Sequence, residues 1–525
     1  MSTDGIIISF LKPTKPVCNV KHPKQQPPAM SSSSNRQMRA FKRWMNHHSI
    51  HYSGAIDILI HRHQVYVQAL YNIHEGDLIA TIPKHSCLTV KSSGACDLIE
   101  GFGLEGYMAL SVALMYEKSL GQLSPWFGYL QLLPDSNPDV PLLWSVDEID
   151  DLLLGTELHK TVKEDKSLVY EDWKACIVPF VESAQLDPSD FTLDQYFAAK
   201  SLISSRSFQI DDYYGFGMVP LADLFNHKTD AEDVHFTSVS SHSDSDTDSS
   251  ENIENRIDDH PDGDSLCQIQ NESTVTSPEG DLSAADDTFS SNTEILEMIM
   301  VRDVKAGSEV FNTYGSMGNA ALLHRYGFTE PDNPYNIVNI DLELVLQWSS
   351  SLFSSRHTRS RLSLWKRLHV SEFPNQQIDY FEISSDGEPE VELLKLISII
   401  LLPEKAYNEF DRSKVALTSN KKGIVWSEIT ERNKRLLLTE SVRGGLLSLA
   451  DTRKRCYGLR SVEDDVEALE ACPVAERKLY HSLVLRISER RILEKLRVYA
   501  SVGSARVRSL GVCNGSTMRK KLQKR

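Results

Sequence analysis

Three short segments place polar and aromatic side chains where the surrounding pattern predicts the ends of secondary-structure elements. They occur in the order SLISSRSF, PLADLFNH and EVFNTYG, and their candidate side chains are Arg206, Asn226, His227 and Tyr314. A guanidinium makes charge-assisted contacts with carboxylates, and a tyrosine hydroxyl both donates and accepts hydrogen bonds. Taken singly, each segment is more typical of an ordinary turn or strand end. It is the combination, in this order, that indicates a functional site.

Motifs that would indicate other chemistries fail in their context. Gly101, Gly103 and Gly106 have the spacing of a dinucleotide-binding loop, but the preceding SSGACDLIE is not a buried strand, and no acidic residue ends a second strand about twenty residues on. The sequence also lacks a P-loop, an H-E-x-x-H motif and a G-x-S-x-G motif. No two of the eight cysteines are spaced C-x-x-C, and none has a histidine at zinc-ligand spacing, so we predict no structural zinc site.

The ordered segments resemble the SET-domain methyltransferases, in particular the branch that contains the Rubisco large-subunit lysine methyltransferase and the ribosomal-lysine methyltransferases of yeast type. The matching pieces span about residues 40–335 and are IHEGDLIATIP, MYEKSLGQLSPWFGYLQLLP, SRSF, PLADLFNH and KAGSEVFNTYGSMGNAALLHRYGF. The resemblance implies an α+β fold. In that fold a SET-domain β-fold of small sheets with a pseudoknot is interrupted by a helical insert and followed by an all-α C-terminal domain that binds the substrate.

The resemblance also implies S-adenosylmethionine as the cofactor and assigns residues to it. Asn226 and His227 would bind the cofactor, the asparagine side chain near its amino acid end. Arg206 would lie beside the cofactor carboxylate, a charge-assisted contact that suits a guanidinium. Tyr314 would contact the cofactor as the catalytic tyrosine, and Asp223 would be a structural acid or part of the shell around the cofactor.

For the substrate, the resemblance implies a lysine channel with Tyr314 at its mouth and Phe208 and Tyr326 as its walls. Methyl transfer from a sulfonium to an amine is an in-line displacement that needs alignment more than a strong acid or base. The lysine amine, with a pKa near ~10.4 in water, must lose its proton to attack. A channel of low polarity beside a cationic cofactor favours the neutral amine, while aromatic walls accept the methylated cation through cation–π contact. No metal ion is required.

One stretch departs from the family pattern and leaves two alternatives open. Members usually carry a glycine-containing loop before a VxAxxxI strand, but HRHQVYVQALYNI has no glycine between His63 and Tyr66. Either the loop has shifted or the affinity for the cofactor is weakened, in which case the chain would be a scaffold or reader that binds a lysine-bearing partner. The other alternative is a protein-histidine methyltransferase, since the branch includes an actin-histidine enzyme with an asparagine at the position matching Phe208. The aromatic Phe208 favours lysine.

Alternating strand and helix patterns indicate the elements that position these residues. Residues 1–38 are typical of a disordered leader, and Met38–Met45 has its apolar groups at helical spacing. VYVQAL and DLIATIP then predict strands. A helical insert is expected over 96–200, after which MVPLADLFNH, VHFTSV, EILEMIMVRDV and SEVFNTYG predict further strands. Repeated leucines predict a helical substrate-binding domain over 342–500.

Within the split SET domain, expected over 39–335, the segment 240–292 has a different composition. It holds fourteen Asp or Glu against one Arg, so it accounts for −13 of the net charge of −17 and leaves about −4 for the rest. With few large apolar side chains, it predicts a disordered insertion between two strands of one sheet. The final residues, 501–525, form a basic tail with seven Lys or Arg and no acid.

The amino-acid composition excludes several other classes of protein. The 525 residues are 41% apolar and 25% charged, as in globular proteins, and the acidic balance argues against binding to nucleic acid. No stretch approaches the roughly eighteen apolar residues of a membrane span. Scattered cysteines favour the cytoplasm or nucleus, and the basic leader makes import into a plastid or mitochondrion the alternative. The predicted partner is a protein substrate that bears the target lysine, and the oligomeric state does not follow from the sequence.

Overall fold

The first described element is a helix that packs its apolar face on the core. The computed structural model describes residues 32–61, 64–238, 294–372, 378–413 and 428–513. Helix α1, Ser32–His47, contains the predicted apolar face of Met38, Phe41, Trp44 and Met45, which is buried. The helix begins before the predicted Met38, so the boundary at residue 38 falls inside it. The rest of the leader, the acidic segment 240–292 and the end of the basic tail lie outside the described residues.

The strands of the first half of the chain form three small antiparallel sheets with the orders β1-β4-β9-β8, β2-β3 and β5-β7-β6. Their bounds are β1 His51–Tyr52, β2 Ile56–His61, β3 Gln64–Ala69, β4 Leu78–Pro83, β5 Leu88–Thr89, β6 Ser207–Asp211, β7 Gly215–Met218, β8 Val234–Ser238 and β9 Ile295–Met300. The strands predicted in VYVQAL, DLIATIP and VHFTSV are confirmed, and the strand predicted in EILEMIMVRDV is confirmed as far as Met300, where β9 ends. Because β8 pairs with β9, the acidic segment joins two neighbouring strands of one sheet, as predicted.

The region between β5 and β6 is helical, as its apolar spacing predicts. Its helices are α2 Cys96–Phe102, α3 Gly106–Ser119, α4 Phe127–Leu130, α5 Val146–Leu152, α6 Leu158–Asp172, α7 Val178–Ser183 and α8 Leu193–Arg206. Gly103 ends α2 in the left-handed conformation and Gly106 begins α3, so these glycines connect two helices and not a strand to a helix. Helix α8 starts at a capping box of Thr192 and Gln195 and ends at Arg206, directly before β6.

The strand expected in MVPLADLFNH is wrong beyond Met218, where β7 ends. Leu221 has a φ of +77° and is followed by a single 3₁₀ turn, Ala222–Leu224. An L-residue in that region strains the backbone by about 1–3 kcal/mol and is held there by its surroundings. Leu221 is fully buried, like most of its apolar neighbours. An apolar run buried on all sides shows no periodicity that distinguishes a strand from a turn.

The strand expected in SEVFNTYG is also wrong, because residues 309–314 make only isolated bridges. Glu309 bridges Gln68 of β3, and Asn312 bridges His227 in the parallel sense. The Val310 amide donates to the carbonyl of Val67 at 2.9 Å. The segment is thus bonded to β3 on one side and to the chain after the 3₁₀ turn on the other, and this crossing brings three distant parts of the sequence together.

The rest of the chain is helical, with one added pair of strands. The helices are α9 Asn319–Tyr326, α10 Leu342–Leu352, α11 Ser355–Glu372, α12 Val391–Ile400, α13 Glu404–Ser413, α14 Glu440–Arg455, α15 Val462–Glu470 and α16 Arg477–Cys513, and the strands are β10 Val338–Asp341 and β11 Tyr380–Ile383. The fold class is confirmed by this helical region, although β11 lies within the part expected to be all-α. Helix α16 continues past residue 500, so the predicted start of the basic tail falls inside it.

Two large apolar cores lie in the two halves of the described chain, one built on the small sheets with α1, α3 and α8, the other on α10 to α16. A smaller cluster joins α5 and α6 of the insert to α9 and α16 through residues that include Trp144, Leu323 and Leu485. The domain limits at 335, 342 and 500 stay predictions. Across the described ranges, the helices include none that is both long enough and apolar enough to cross a membrane.

Candidate active site

Tyr314 is fixed at its backbone and at its hydroxyl by the residues that follow the 3₁₀ turn. Its amide donates to Nδ1 of His227 at 3.0 Å, and its hydroxyl donates to the carbonyl of Phe225 at 3.1 Å. The carbonyl of Asn226 accepts the amide of Asn312 at 2.9 Å. The sequence-predicted Asn226, His227 and Tyr314 are therefore brought together, although neither of their segments is a regular strand.

An aromatic wall surrounds the Tyr314 ring. Tyr326 stacks on it with ring centroids 4.4 Å apart, and His227 stacks at 5.0 Å. Phe328 lies 6.5 Å from Tyr314 and 6.2 Å from Tyr326. Gly327, with a φ of +78°, turns the chain between Tyr326 and Phe328. A Cβ at Gly327 would lie 2.8 Å from the backbone of Asp139. The glycine thus allows Tyr326 and Phe328 to face the same ring.

Phe208, predicted as a second channel wall, makes its ring contact elsewhere. It lies in β6, opposite Gly217 of β7, and among the described residues its ring packs against Phe236 of β8 at 5.4 Å. Tyr107 of α3 hydrogen-bonds Ser207, the residue before Phe208, and stacks on Phe216 at 4.6 Å. The structure joins Tyr326 to Tyr314 and places Phe208 on the neighbouring sheet, so the role of Phe208 stays a prediction.

Arg206 lies in a buried cluster beside this wall. Its Nη1 donates to Oδ2 of Asp223 at 3.2 Å and to the Asp223 carbonyl at 3.1 Å. The Tyr129 hydroxyl donates to the same Oδ2 at 2.8 Å. The Asp223 side chain is fully buried, whereas 26% of the Arg206 side chain is exposed. Asp223 therefore holds the guanidinium through Nη1, while part of the Arg206 side chain remains exposed.

Asn226 has its side chain on the exposed side of the site. Its Nδ2 donates to Oε1 of Glu309 at 2.7 Å, so a carboxylate stands next to the asparagine. Of the sequence departure at His63–Tyr66, His63 lies outside the described residues, whereas Gln64 to Tyr66 lie in β3 and pair with β2.

Burial sets the protonation of these groups. It raises the pKa of Tyr314 above its ordinary value, with Tyr326 adding to the rise, so the hydroxyl stays protonated at neutral pH. It lowers the pKa of His227, with the charge of Glu330 opposing that effect. A neutral ring is what its Nδ1 requires in order to accept the Tyr314 amide. Burial opposes the charge on Arg206, but the combined effects of Asp223, Tyr129 and Tyr314 outweigh burial and raise the pKa of the guanidinium.

Known structures with the same architecture were found over almost the whole chain. The SET domain of LSMT bound to lysine and AdoHcy superimposes with a TM-score of 0.60 at 18% identity, covering 91% of this chain and 93% of the other. Rubisco LSMT bound to AdoMet gives 0.58 at 17% identity, covering 91% and 97%. At these identities the likeness shows the fold, which is that of the SET domain with its helical C-terminal region.

The relatives found by sequence comparison are also named as lysine methyltransferases. N-lysine methyltransferase setd6 of Xenopus tropicalis is 25% identical over 81% of this chain and 86% of its own length. The protein of that name from Salmo salar is 27% identical over 65% and 68%, and ribosomal lysine N-methyltransferase 3 of Saccharomyces cerevisiae is 26% identical over 52% and 58%. No family model matches the chain. The chain therefore has the fold of the SET domain and is similar in sequence to protein-lysine methyltransferases.

Within this SET domain, several residues of the site were not predicted from the sequence. Tyr129 lies in SPWFGYLQLLP, a segment that contributes to the family resemblance but in which no single residue was assigned a role. Phe328 comes two residues after the predicted Tyr326. Glu309 is an ordinary exposed acid by sequence. Their partners are distant in the chain, and no periodicity in a single sequence reports such contacts. The local sequence offered one signal for Phe328, which is a second aromatic residue directly after Gly327.

Proposed function

We propose that this SET-domain enzyme methylates the lysine side chain of a non-histone protein, and that a ribosomal protein is one candidate class of substrate. The observation that carries the proposal is Tyr314, held at its amide and its hydroxyl, stacked on Tyr326, and close to the partly exposed Arg206. The name of the yeast relative, ribosomal lysine N-methyltransferase 3, supports the substrate class.

The residues present fit S-adenosylmethionine, the cofactor of the family. When bound, it supplies a methyl group on a positively charged sulfur. The exposed part of Arg206 offers N–H donors that suit the cofactor carboxylate. Asn226 and the neighbouring Glu309 offer a polar, negatively charged edge that suits the cofactor amino group. His227, neutral and stacked on Tyr314, separates this edge from the aromatic wall.

For the lysine, the same residues favour the neutral amine and orient it. A site walled by Tyr314, Tyr326 and Phe328 has little polarity to stabilise an ammonium group. Because the pKa of Tyr314 is raised, its hydroxyl does not act as a base at neutral pH. Its oxygen instead accepts a hydrogen bond from the amine, while the hydroxyl keeps its proton and donates it to the Phe225 carbonyl. The ring faces then accommodate the cationic methylated product.

Two alternatives from the sequence become outcomes of one experiment. A scaffold without turnover would bind a lysine-bearing partner but transfer no methyl group. A histidine methyltransferase would label histidine, for which the aromatic Phe208 offers no polar partner. We propose lysine because the described wall residues around Tyr314 are aromatic rings, which suit an aliphatic chain ending in an amine.

The proposed function is tested with radiolabelled S-adenosylmethionine and a cell extract freed of small molecules. Wild-type protein should label a discrete protein band, Tyr314→Phe should not, and amino acid analysis of the band should give methyl-lysine. Labelled methyl-histidine would reassign the enzyme. If no band is labelled and the cofactor does not raise the melting temperature, the chain is a scaffold. Sequencing the protein in the labelled band then identifies the substrate.

A further inference from the structure

The buried cluster behind Arg206 contains a tyrosine contributed by the helical insert. The hydroxyl of Tyr129, in α4, donates to Oδ2 of Asp223 at 2.8 Å, and the tyrosine is fully buried. Asp223 in turn holds Arg206 with its carboxylate and its backbone carbonyl. A line of contacts therefore runs from the insert, through one carboxylate, to the guanidinium beside the aromatic wall.

Helix α1 fixes the Tyr129 ring in this position. The rings of Phe41 and Trp44 lie 6.1 and 6.0 Å from it. The Trp44 indole nitrogen is also anchored, since it donates to the Pro125 carbonyl at 2.7 Å. At Gly128, next to Tyr129, even a Cβ would approach Trp44 to 2.4 Å. The Tyr129 ring is thus held against α1, and its hydroxyl points toward Asp223.

The hydrogen bonds at Oδ2 determine how the Asp223 carboxylate is oriented. The other oxygen, Oδ1, is buried and has no hydrogen-bond partner among the described residues. Burial raises the pKa of Asp223, and the charge of Arg206 and the Tyr129 hydroxyl oppose that rise. A hydrogen bond to a buried charged group is worth more than one between neutral groups. Without the tyrosine hydroxyl, the side chain of Arg206 would be the one side chain of the described residues that holds the carboxylate.

We propose that Tyr129 is a positioning residue, which acts through Asp223 to aim the Arg206 guanidinium at the carboxylate of S-adenosylmethionine. The proposal rests on the proposed function, because it assumes that the cofactor carboxylate meets Arg206. It gives helices α4 and α1 a task in cofactor binding, although neither carries a residue assigned to the cofactor.

The test compares two ligands that differ only in that carboxylate. Dissociation constants are measured by calorimetry for S-adenosylmethionine and for its decarboxylated form, on wild type and on Tyr129→Phe. The variant should bind S-adenosylmethionine about tenfold more weakly and the decarboxylated form with less than about a twofold change, as expected for a lost hydrogen bond to a charged group. Tyr196→Phe is the matched control. Tyr196 is also fully buried, but its hydroxyl has no hydrogen-bond partner in the part of the chain that the structure describes, so both affinities should be unchanged.

Three results would overturn the positioning role while leaving the enzyme intact: no change for either ligand, an equal loss for both, or the same loss in Tyr196→Phe. An equal loss would mean that Tyr129 supports the fold without directing Arg206. If Tyr129→Phe does not fold, Asp223→Asn, which keeps the shape and the contact with the tyrosine, must show the same selective loss or the proposal fails. If wild type binds neither ligand, the proposed function itself fails.

Discussion

At the scale of single residues, the hydroxyl of Tyr314 can be tested apart from its ring. Tyr314→Phe keeps the stacking on Tyr326 and His227 but removes the group bonded to the Phe225 carbonyl. We expect kcat to fall roughly 100-fold, the size of effect seen when one positioned hydrogen-bonding group is lost. KM for the cofactor should stay nearly the same. Steady-state kinetics on the identified substrate provide the measurement, and an unchanged kcat would remove Tyr314 from the reaction.

Phe208 tests whether the channel extends to β6. We expect Phe208→Asn to slow lysine methylation by about tenfold or more, because a polar side chain would misplace the aliphatic part of the lysine. The ring also packs on Phe236, so some loss of stability should accompany the change. Rates must therefore be compared below the melting temperature of the variant. Phe236→Leu, which disturbs the same packing from the other side, is the control. A normal rate in Phe208→Asn would place this phenylalanine outside the channel.

The residues that sequence could assign are those inside recognisable local segments. Asn226, His227, Tyr314 and Tyr326 were predicted, and the structure places His227 and Tyr326 in contact with Tyr314, with Asn226 next to His227 in the chain. Tyr129 and Glu309 were missed, since their roles depend on a partner about ninety positions away in each case. A contact of that separation is a property of the folded chain and leaves no pattern in one sequence.

At the scale of elements, the close approach of α1 and α4 depends on a glycine. A Cβ at Gly128 would lie 2.4 Å from the Cβ of Trp44, so Gly128→Ala must push the two helices apart. We expect a loss of about 1–3 kcal/mol in the free energy of unfolding, the usual cost of overpacking. Gly444→Ala in α14 is the control. It meets nothing within 4 Å and should stabilise the protein by up to about 1 kcal/mol. Urea denaturation of both variants provides the measurement, and equal effects would contradict the tight contact.

Secondary-structure elements could be predicted where one face of the segment is buried. The predictions failed where the segment is buried on all sides. VYVQAL and EILEMIM alternate between buried and more exposed positions, and both are strands. The run from Val219 to Phe225 is apolar and almost wholly buried, so it gave the same signal as a buried strand and turned out to contain a 3₁₀ turn. The positive φ of Leu221 could not be foreseen, because that conformation is rare for leucine.

At the scale of the whole molecule, charged groups join the insert to the C-terminal helices. Arg453 of α14 donates to Oε1 of Glu157 at 2.9 Å and to the carbonyl of Asn339 at 3.0 Å. Glu489 of α16 accepts the amide of Glu157 at 3.1 Å and the Tyr457 hydroxyl at 2.5 Å. The sequence shows these residues only as ordinary charges on helices. Their burial at an interface follows from how the two cores pack together.

The same interface reaches the aromatic wall through a histidine. His481 of α16 accepts, at its Nδ1, the amide of Thr329 at 3.0 Å and the hydroxyl of Thr329 at 2.9 Å. Thr329 directly follows Phe328 of the wall. Burial lowers the pKa of His481 to about 4, with the charge of Arg477 adding to that effect. The histidine is therefore neutral in the folded protein at all pH values where it would begin to ionise in the unfolded chain.

This depressed pKa predicts an acid sensitivity with a definite direction. The unfolded chain takes up a proton at His481 near pH 6.5, while the folded one does so only near 4, so the stabilising contribution is complete above about pH 6.5 and is lost as the pH falls toward 4. His481→Gln keeps an acceptor for the Thr329 amide but does not titrate. Between pH 7.5 and 5, wild type should lose about 2 kcal/mol of unfolding free energy relative to the variant, because the other titrating groups cancel in the difference. Urea denaturation at the two pH values measures this gap. A gap that stays constant with pH would show that His481 is protonated in the folded protein as readily as in the unfolded chain, and that α16 is held to the wall by other contacts.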